Sequence, residues 1–594
     1  MYVSNRRTLD PPARPAAPSR NVTDGTGVHY RDGVDPLRRP TSLAPCELGF
    51  TPRPPVAWLS PSQLLRTGVR TGLALSFGAW LDKRELQGAL PARIHRQPGQ
   101  DGELWLDYVA DTGDGFDATY SVAYLLGQPE LTVDGQRLPR GQVLVMGGDQ
   151  VYPTASMEAY EDRLKGPYTA ALPLPPLDGP QPTLYALPGN HDWYDGLTAF
   201  LRLFVGERTD HIGGWRTEQS RSYFAIQLPH RWWLFAIDEA FGAYLDDPQL
   251  VYFEQVAREL TPDDRVILVA PRPSWLDPDP KGYDTIDFFL RTIITPTGAR
   301  VPLMLAGDLH HYARYAAADR QLVTCGGGGA YLSATHTLPE RITVPPQGSI
   351  VRKASPRQEY ELAARFPDAA RSRRRAWGVF GRLPWRNPGF VGLLGVIHTL
   401  LMLSVAGAAA RLDTAAERLV SIPLLTAVTL VLAGAVGLAS FPTGRASGAA
   451  RLVWGTLHGA AHLGLGLAGG LAWLALPMAD WPWPLPLLAA TVLYLPVAGL
   501  VASQVVAGYL LATSRSGVNI NELFAAQGIT DDKSFLRMRF GPDGSLTLYP
   551  VAVERICRQW RADPDASRPD AAWLVPVEPG QLRYRLVEAP IRLE

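Results

Sequence analysis

Cysteine is scarce: Cys46, Cys325 and Cys557 are the only three in 594 residues. So far apart, they form neither a zinc-binding spacing nor a disulfide framework, which excludes a small, stapled secreted fold. Net charge is missing too. Lys plus Arg and Asp plus Glu both number 57, so no global field draws the chain to nucleic acid, and a dedicated DNA or RNA binder is disfavoured. The opening stretch, MYVSNRRTLDPPARPAAPSRNVTDG, lacks the apolar core of a secretory signal. It is polar and rich in Pro and Arg, a composition that predicts disorder to about residue 45. No internal repeat is visible. The length allows roughly four folding units at ~150 residues each.

What is present changes character along the chain. Residues 46–99 read as a lead-in holding one short apolar segment, Thr71–Leu81, too short to cross a ~30 Å bilayer. It is expected to be a buried or interfacial helix. From 100 to 345, short apolar runs end in polar, Gly-rich turns: LWLDYVAD, QVLVMGGD, TLYALPGNHD, WWLFAID, RVILVAP and VPLMLAGD. Several runs are continuous rather than alternating, as strands buried on both faces require. With helical stretches such as Gln249–Leu260 between them, this predicts an α/β domain.

Residues 346–387 form an Arg-rich linker with Arg365, Arg371, Arg373, Arg374, Arg375, Arg382 and Arg386. Four apolar stretches follow, near 389–410, 421–441, 452–477 and 485–512. Each is long enough to span a membrane as a helix; the alternative is a large buried helical bundle. Arg445, Arg451 and Arg515 join the linker arginines on one side, and the loop MADWPWP on the other has no basic residue. Arg411 and Arg418 run against this trend. The positive-inside rule places both termini in the cytoplasm, giving a multi-pass protein of the cell membrane. Trp377 and Trp385 on one side, and Trp473, Trp481 and Trp483 on the other, suit interfacial belts. Residues 514–594, with SLTLYPVAV and QLRYRLVEAPIRL, read as a small β-rich C-terminal segment on the same side as the α/β domain.

Ligands bind at the C-terminal ends of strands in α/β folds. Here those ends carry Asp111 (ADTGD), Asp149 and Tyr152 (GGDQVY), Asn190, His191 and Asp192 (PGNHD), and Asp308, His310 and His311 (AGDLHHY). Carboxylates, an amide, imidazoles and a phenol make a mixed O/N donor set that suits Mn, Fe, Zn or Mg.

The ordered blocks Asp111-Thr112-Gly113, Gly148-Asp149-Gln150-Val151-Tyr152, Gly189-Asn190-His191-Asp192 and Gly307-Asp308-Leu309-His310 resemble the calcineurin-like metallophosphoesterases, the early blocks most like the purple-acid-phosphatase branch. The resemblance covers about 245 residues. It implies a four-layer αββα sandwich and two metal ions. One would be held by Asp111, Asp149, His310 and Tyr152, the other by Asp149, Asn190 and Asp308. It also implies hydrolysis of a phosphomonoester or phosphodiester. His191 would protonate the leaving oxygen or stabilise the transition state, and Asp192 would orient His191 from behind. Two departures stand out. Pro271 takes the place of a lone metal-binding His, and Asp308 takes the place of the first His in Gly-His-x-His. His311 or His336 is left to fill the gap, or the second metal is oxygen-rich.

Plainer roles compete at each position. Asp149 alone could be a helix cap, Tyr152 a packed aromatic, Asp114 a turn former, His311 a solvated neighbour. The CGGGGAYL stretch either brings backbone close to the site or forms a flexible turn. His398, His458 and His462, inside the apolar stretches, bind a metal or haem, relay protons, or hydrogen-bond between helices. The anchor points to a phosphate-ester substrate close to the membrane, lipid-linked esters included. A degenerate metal- or phosphate-binding sensor or scaffold is the alternative function; a transporter with a regulatory domain is disfavoured by the lack of intramembrane carboxylates and cations.

Overall fold

A computed structural model describes residues 39–77, 83–205, 210–240, 244–348, 354–411, 414, 417, 421–440 and 447–594. Most of the expected tail, and residues 78–82 of the lead-in, lie outside this set, as do Arg418 and Arg445, on which part of the orientation argument rests.

The body is mixed α/β and contains two nine-stranded sheets. In the first, Leu104–Val109, Val143–Met146 and Thr183–Ala186 run parallel side by side. In the second, Trp232–Ala236, Arg265–Ala270, Arg300–Ala306 and Gln321–Cys325 do the same. These strands are mostly apolar because both of their faces are covered, Asp107 being a buried exception. Alternation shows which face meets what. Leu106 and Tyr108 of the first sheet share a core with Leu234, Ile267, Leu303 and Val323 of the second. Trp105 and Val109 point the other way, onto Tyr120, Val122 and Leu126 of the helix Phe116–Gly127. The outer side of the second sheet packs Phe235, Leu268 and Met304 against Phe253, Ile286 and Phe289 of its helices.

Residues 514–594 do not stand apart. Strand Lys533–Phe540 pairs antiparallel with Leu104–Val109, and Leu546–Arg555 pairs with it in turn. Arg537 locks the join. Its guanidinium makes a fully buried fork on Asp107, Nε to Oδ1 at 2.7 Å and Nη2 to Oδ2 at 2.8 Å, and Nη1 donates to the Leu138 carbonyl at 2.9 Å. The Arg-rich linker is structured as well. Gln358–Phe366 is a strand of the second sheet, followed by helices Ala369–Trp377 and Val379–Arg386.

Four long helices occupy the apolar stretches: Pro388–Arg411, Ile422–Ala439, Gly448–Leu474, and a run from Leu485 to Ser514 with a π-turn at Ala490–Tyr494. Among the described residues, three helices are long and apolar enough to cross a membrane: Pro388–Ala410, Ile422–Ala439 and Leu485–Ser514. The Gly448–Leu474 helix is long enough but less apolar, because His458, His462 and many glycines dilute its leucines.

Candidate active-site rim

The sequence blocks meet because their strands end side by side. Asp111 follows Leu104–Val109, and Asp149 follows Val143–Met146. The two turns are stitched by Asp111 N–H to the Gly148 carbonyl, 2.9 Å, and Thr112 N–H to the Asp149 carbonyl, 3.0 Å. Asp308 follows Arg300–Ala306, in the facing sheet, and its N–H donates to both oxygens of the Asp111 carboxylate at 3.1 and 2.9 Å. Asp111, Asp149 and Asp308 all have left-handed backbone, φ 60, 48 and 66°. Non-glycine residues adopt this region at a cost, and such strain gathers at functional sites. Gly189 has no choice of side chain, since a Cβ there would collide with the Asp149 carboxylate.

The centre of the rim is the Tyr152 hydroxyl. Asp111 Oδ1 lies 2.9 Å from it, Asp149 Oδ2 3.2 Å and His310 Nε2 3.0 Å. All four residues are buried. His310 Nδ1 donates to the Tyr331 carbonyl at 2.8 Å, which leaves Nε2 as a lone pair. Three acceptors therefore converge on a hydroxyl that has one proton to give. Burial, then the charges of Asp149 and Asp308, push the Asp111 carboxyl well above its ordinary range. Burial and Asp308 push Asp149 up to about 8. Burial drives His310 well below the usual imidazole value, with the charge of Lys533 adding to it. The carboxyl shifts have the sign of burial reinforced by like charge, and the His310 shift that of burial beside positive charge.

His191 is tied in through its backbone, whose N–H donates to Asp149 Oδ1 at 2.8 Å. Its ring lies 4.5 Å from the Tyr152 ring, and Nδ1 donates to the Pro153 carbonyl at 2.7 Å. Desolvation outweighs that bond and lowers its pKa to about 4. Asp192 does not orient this imidazole, contrary to expectation. The turn Asp192–Asp195 aims its carboxylate underneath, where it accepts from Gly189 N–H at 2.8 Å, Gln150 N–H at 3.3 Å and the Tyr160 hydroxyl. It braces the two motif turns instead. Asn190 is half-buried, with Nδ2 3.4 Å from the Tyr194 hydroxyl, and the Asp308 side chain is exposed at the lip.

Pro271 does occupy the rim, its backbone against Gly148. Arg272 beside it is engaged by Glu239, with Nη2 to Oε2 at 3.2 Å, and by Asp277 at 3.3 Å. Neither spare histidine is bonded to a rim carboxylate among the described residues. His336 Nδ1 bonds the Ser372 hydroxyl at 2.8 Å, away from the rim, and His311 is buried with both ring nitrogens unpartnered among the described residues. Asp114 is structural, accepting from Val56 N–H at 2.8 Å and Tyr331 N–H at 3.2 Å. Gly326, first of the four glycines, lies where a Cβ would come within 2.5 Å of Asp111 Oδ2, so this stretch brings backbone against the rim.

Three contributors were missed in the sequence. Trp58 packs its ring 5.9 Å from both Tyr152 and His191 and 5.2 Å from Tyr331. Lys533, fully buried, donates to the Ala330 carbonyl under the glycine stretch. Glu239 ends the strand Trp232–Ala236, and that strand-end carboxylate was the one legible signal of the three.

Among the described residues, no three His, Cys, Asp or Glu side chains close around one metal position; the Tyr152 hydroxyl stands between Asp111, Asp149 and His310 instead. The donor set nevertheless fits a hard or borderline cation, being oxygen-rich with one imidazole and no thiolate. In the helix bundle, His398 Nε2 lies 2.9 Å from His462 Nδ1, and His462 Nε2 lies 3.0 Å from His458 Nε2. His462 gives both nitrogens to neighbours, so the three form an interhelical hydrogen-bonded row, and His458 stacks on Tyr509 at 4.0 Å.

No protein-family model and no curated protein matches the chain. One solved structure that does is described as "GAP50 the anchor in the inner membrane complex of Plasmodium". It is 12% identical and covers 46% of this chain and 92% of its own, with a TM-score of 0.28. That likeness is too slight to carry an argument about fold or function.

Proposed function

We propose that the chain is a membrane-anchored, metal-dependent phosphoesterase of the calcineurin-like kind. The observation that carries the reading is the convergence of Asp111, Asp149 and His310 on one hydroxyl. Two carboxyls and an imidazole lone pair gathered on one hydroxyl offer the donors of a cation site. Two sheets sharing one core, with helices outside, accord with the sandwich of that family.

Asp111, Asp149, Tyr152 and His310 would hold one ion, and Asp149, Asn190 and Asp308 a second. Such ions neutralise charge on a phosphate ester and acidify water. The chain's own residues do the rest. The Pro153 carbonyl fixes the His191 tautomer, so Nε2 faces outward as a lone pair at neutral pH. It first accepts a proton or hydrogen bond, and it donates to the leaving oxygen once phosphoryl charge has raised its pKa. Asp192 holds Gly189 and Gln150 in place beneath it.

The three apolar helices are read as crossings, with Gly448–Leu474 as a fourth whose histidines face inward. Both soluble parts lie in the cytoplasm on this reading, and the substrate is a phosphate ester carried at the membrane, lipid-linked included. Pro271, with Arg272 spent on Glu239, favours a second reading: a degenerate sensor or scaffold that binds metal or phosphate without turnover.

Metal content and turnover of purified protein separate the two. Wild type and Asp149→Ala are compared on p-nitrophenyl phosphate and bis-p-nitrophenyl phosphate with Mn, Fe, Zn and Mg. Turnover with bound metal, both lost in the variant, supports the hydrolase. Metal or phosphate binding without turnover above the variant leaves the sensor.

A further inference from the structure

Helices Ala369–Trp377 and Val379–Arg386 divide their residues by face. On the inner face, Ala376, Val379 and Leu383 are buried with Tyr331, Leu332 and Phe524. The inner arginines are all engaged. Arg371 reaches Asp532 at 2.5 Å, Arg375 reaches Asp532 at 3.0 Å, and Arg382 meets Gln527 at 3.3 Å. The outer face is different. Arg373, Arg374 and Arg386 are exposed, with no hydrogen-bond or carboxylate partner among the described residues. Between them stand Trp377, Phe380 and Trp385, which are 58, 37 and 86% exposed. Arg373, Trp377 and Phe380 stand at helical spacing, and Trp385 lies in the last turn before the first apolar helix.

A soluble protein gains nothing by holding two tryptophans and a phenylalanine in water between unpaired arginines. What covers them is set by position. Asn387 follows Arg386 directly and Pro388 opens the first apolar helix. Asn387 Oδ1 accepts from Leu59 N–H at 3.0 Å, and its Nδ2 donates to the Ala526 carbonyl at 2.8 Å, so the ledge, the lead-in and the segment after the last apolar helix are pinned at one level. The lead-in helix Pro61–Phe77, packed on that first apolar helix, also exposes Leu64, Leu65 and Val69. Aromatic rings at the water boundary, with arginines free to fork onto phosphate, are the chemistry of an interfacial helix.

We infer that the outer face of residues 369–386 is a binding surface for the phosphate groups of anionic phospholipids, lying flat on the leaflet next to the soluble body. The inference rests on the apolar helices crossing the bilayer and needs no phosphoesterase activity. The occupant is the bilayer, rather than a protein partner or a second copy.

The test uses the full chain in vesicles of equal parts phosphatidylglycerol and phosphatidylcholine, with native mass spectrometry of the lipids it retains. Wild type is expected to retain phosphatidylglycerol with a preference of roughly 10²-fold, about fivefold for each of the three exposed arginines. The combined variant Arg373→Gln, Arg374→Gln, Arg386→Gln loses that preference. These side chains touch no protein partner, so its fold should be intact. As a second readout, brominated phosphatidylglycerol quenches tryptophan fluorescence in wild type more than in Trp377→Ala, Trp385→Ala. Equal retention of both lipids by wild type, unchanged preference in the arginine variant, or a dimer mass without lipid selection would each overturn the inference.

Discussion

At the rim, His310 meets Tyr152 and Asp111, and Asp149 meets the same hydroxyl; in the helix bundle, His398, His462 and His458 hydrogen-bond one another, with Tyr509 stacked on His458. Both are clusters of buried imidazole, yet they solve burial in opposite ways. In the bundle, neutral rings pass hydrogen bonds along a row, leaving only the outer nitrogens, Nδ1 of His398 and of His458, without a partner among the described residues. At the rim, acceptors outnumber protons, three aspartates hold left-handed backbone, and two carboxyls are pushed far from their ordinary range. One cluster is a row of neutral rings; the other gathers two carboxyls and an imidazole on one hydroxyl. Imidazole alone does not mark a metal site. The carboxylates around it do.

The strongest way to break this contrast is to remove one group from each side. Asp149→Asn is expected to lower phosphodiester turnover by ~10³-fold or more, the scale of losing charge stabilisation at the reacting centre. His462→Leu should leave turnover within about twofold of wild type, as deletions outside a catalytic unit do. Equal losses would mean that the bundle belongs to the site. A smaller step is His191→Ala, expected to lower kcat about 10²-fold as removal of a general acid or base does, with bound metal unchanged. Lost metal instead would make His191 a ligand.

A third test uses pH. The folded pKa of Asp149 lies near 8, above its unfolded value of about 3.9, so the folded state holds the proton more tightly. Its contribution to stability is full below about pH 4 and is lost as pH rises through 8. In chelator, the thermal midpoint should therefore fall between pH 4 and 8, less steeply in Asp149→Asn. Mn²⁺ should restore it most at pH 8. A flat response to Mn²⁺, Zn²⁺ and Mg²⁺ alike would remove the cation from the argument. The smallest effect is expected in the bundle, where His462→Leu should destabilise by about 1–2 kcal/mol, the range of interhelical hydrogen bonds in membranes. Denaturation in mild detergent reads it, and metal should not move it.

The rim was legible where apolar run and polar turn alternate, because strand ends are local signals. Asp111, Asp149, Tyr152 and His310 came together on that basis. Contacts between neighbours in sequence were less legible. Asp192 follows His191, but the turn between them sends one side chain up and the other down. Trp58 and Lys533 carry no local mark, since each reaches the rim from a distant part of the chain. The four helices were visible as long apolar stretches, while the low hydropathy of Gly448–Leu474 reflects histidines turned toward one another. The C-terminal strands were recognised as strands, but their partner could not be read, because pairing 430 residues away leaves no periodicity behind.

That pairing also sets a timetable for biosynthesis. Asp107 and Arg537 are separated by 430 residues, which a ribosome adding about 5–20 residues per second covers in roughly 20–90 s. Throughout that interval Leu104–Val109 is an edge strand with an unpaired ladder, and a buried-to-be carboxylate waits for its cation. The strand that closes the edge is synthesised only after all four long helices. Until it is closed, that open edge is the part of the nascent chain most readily drawn into aggregation.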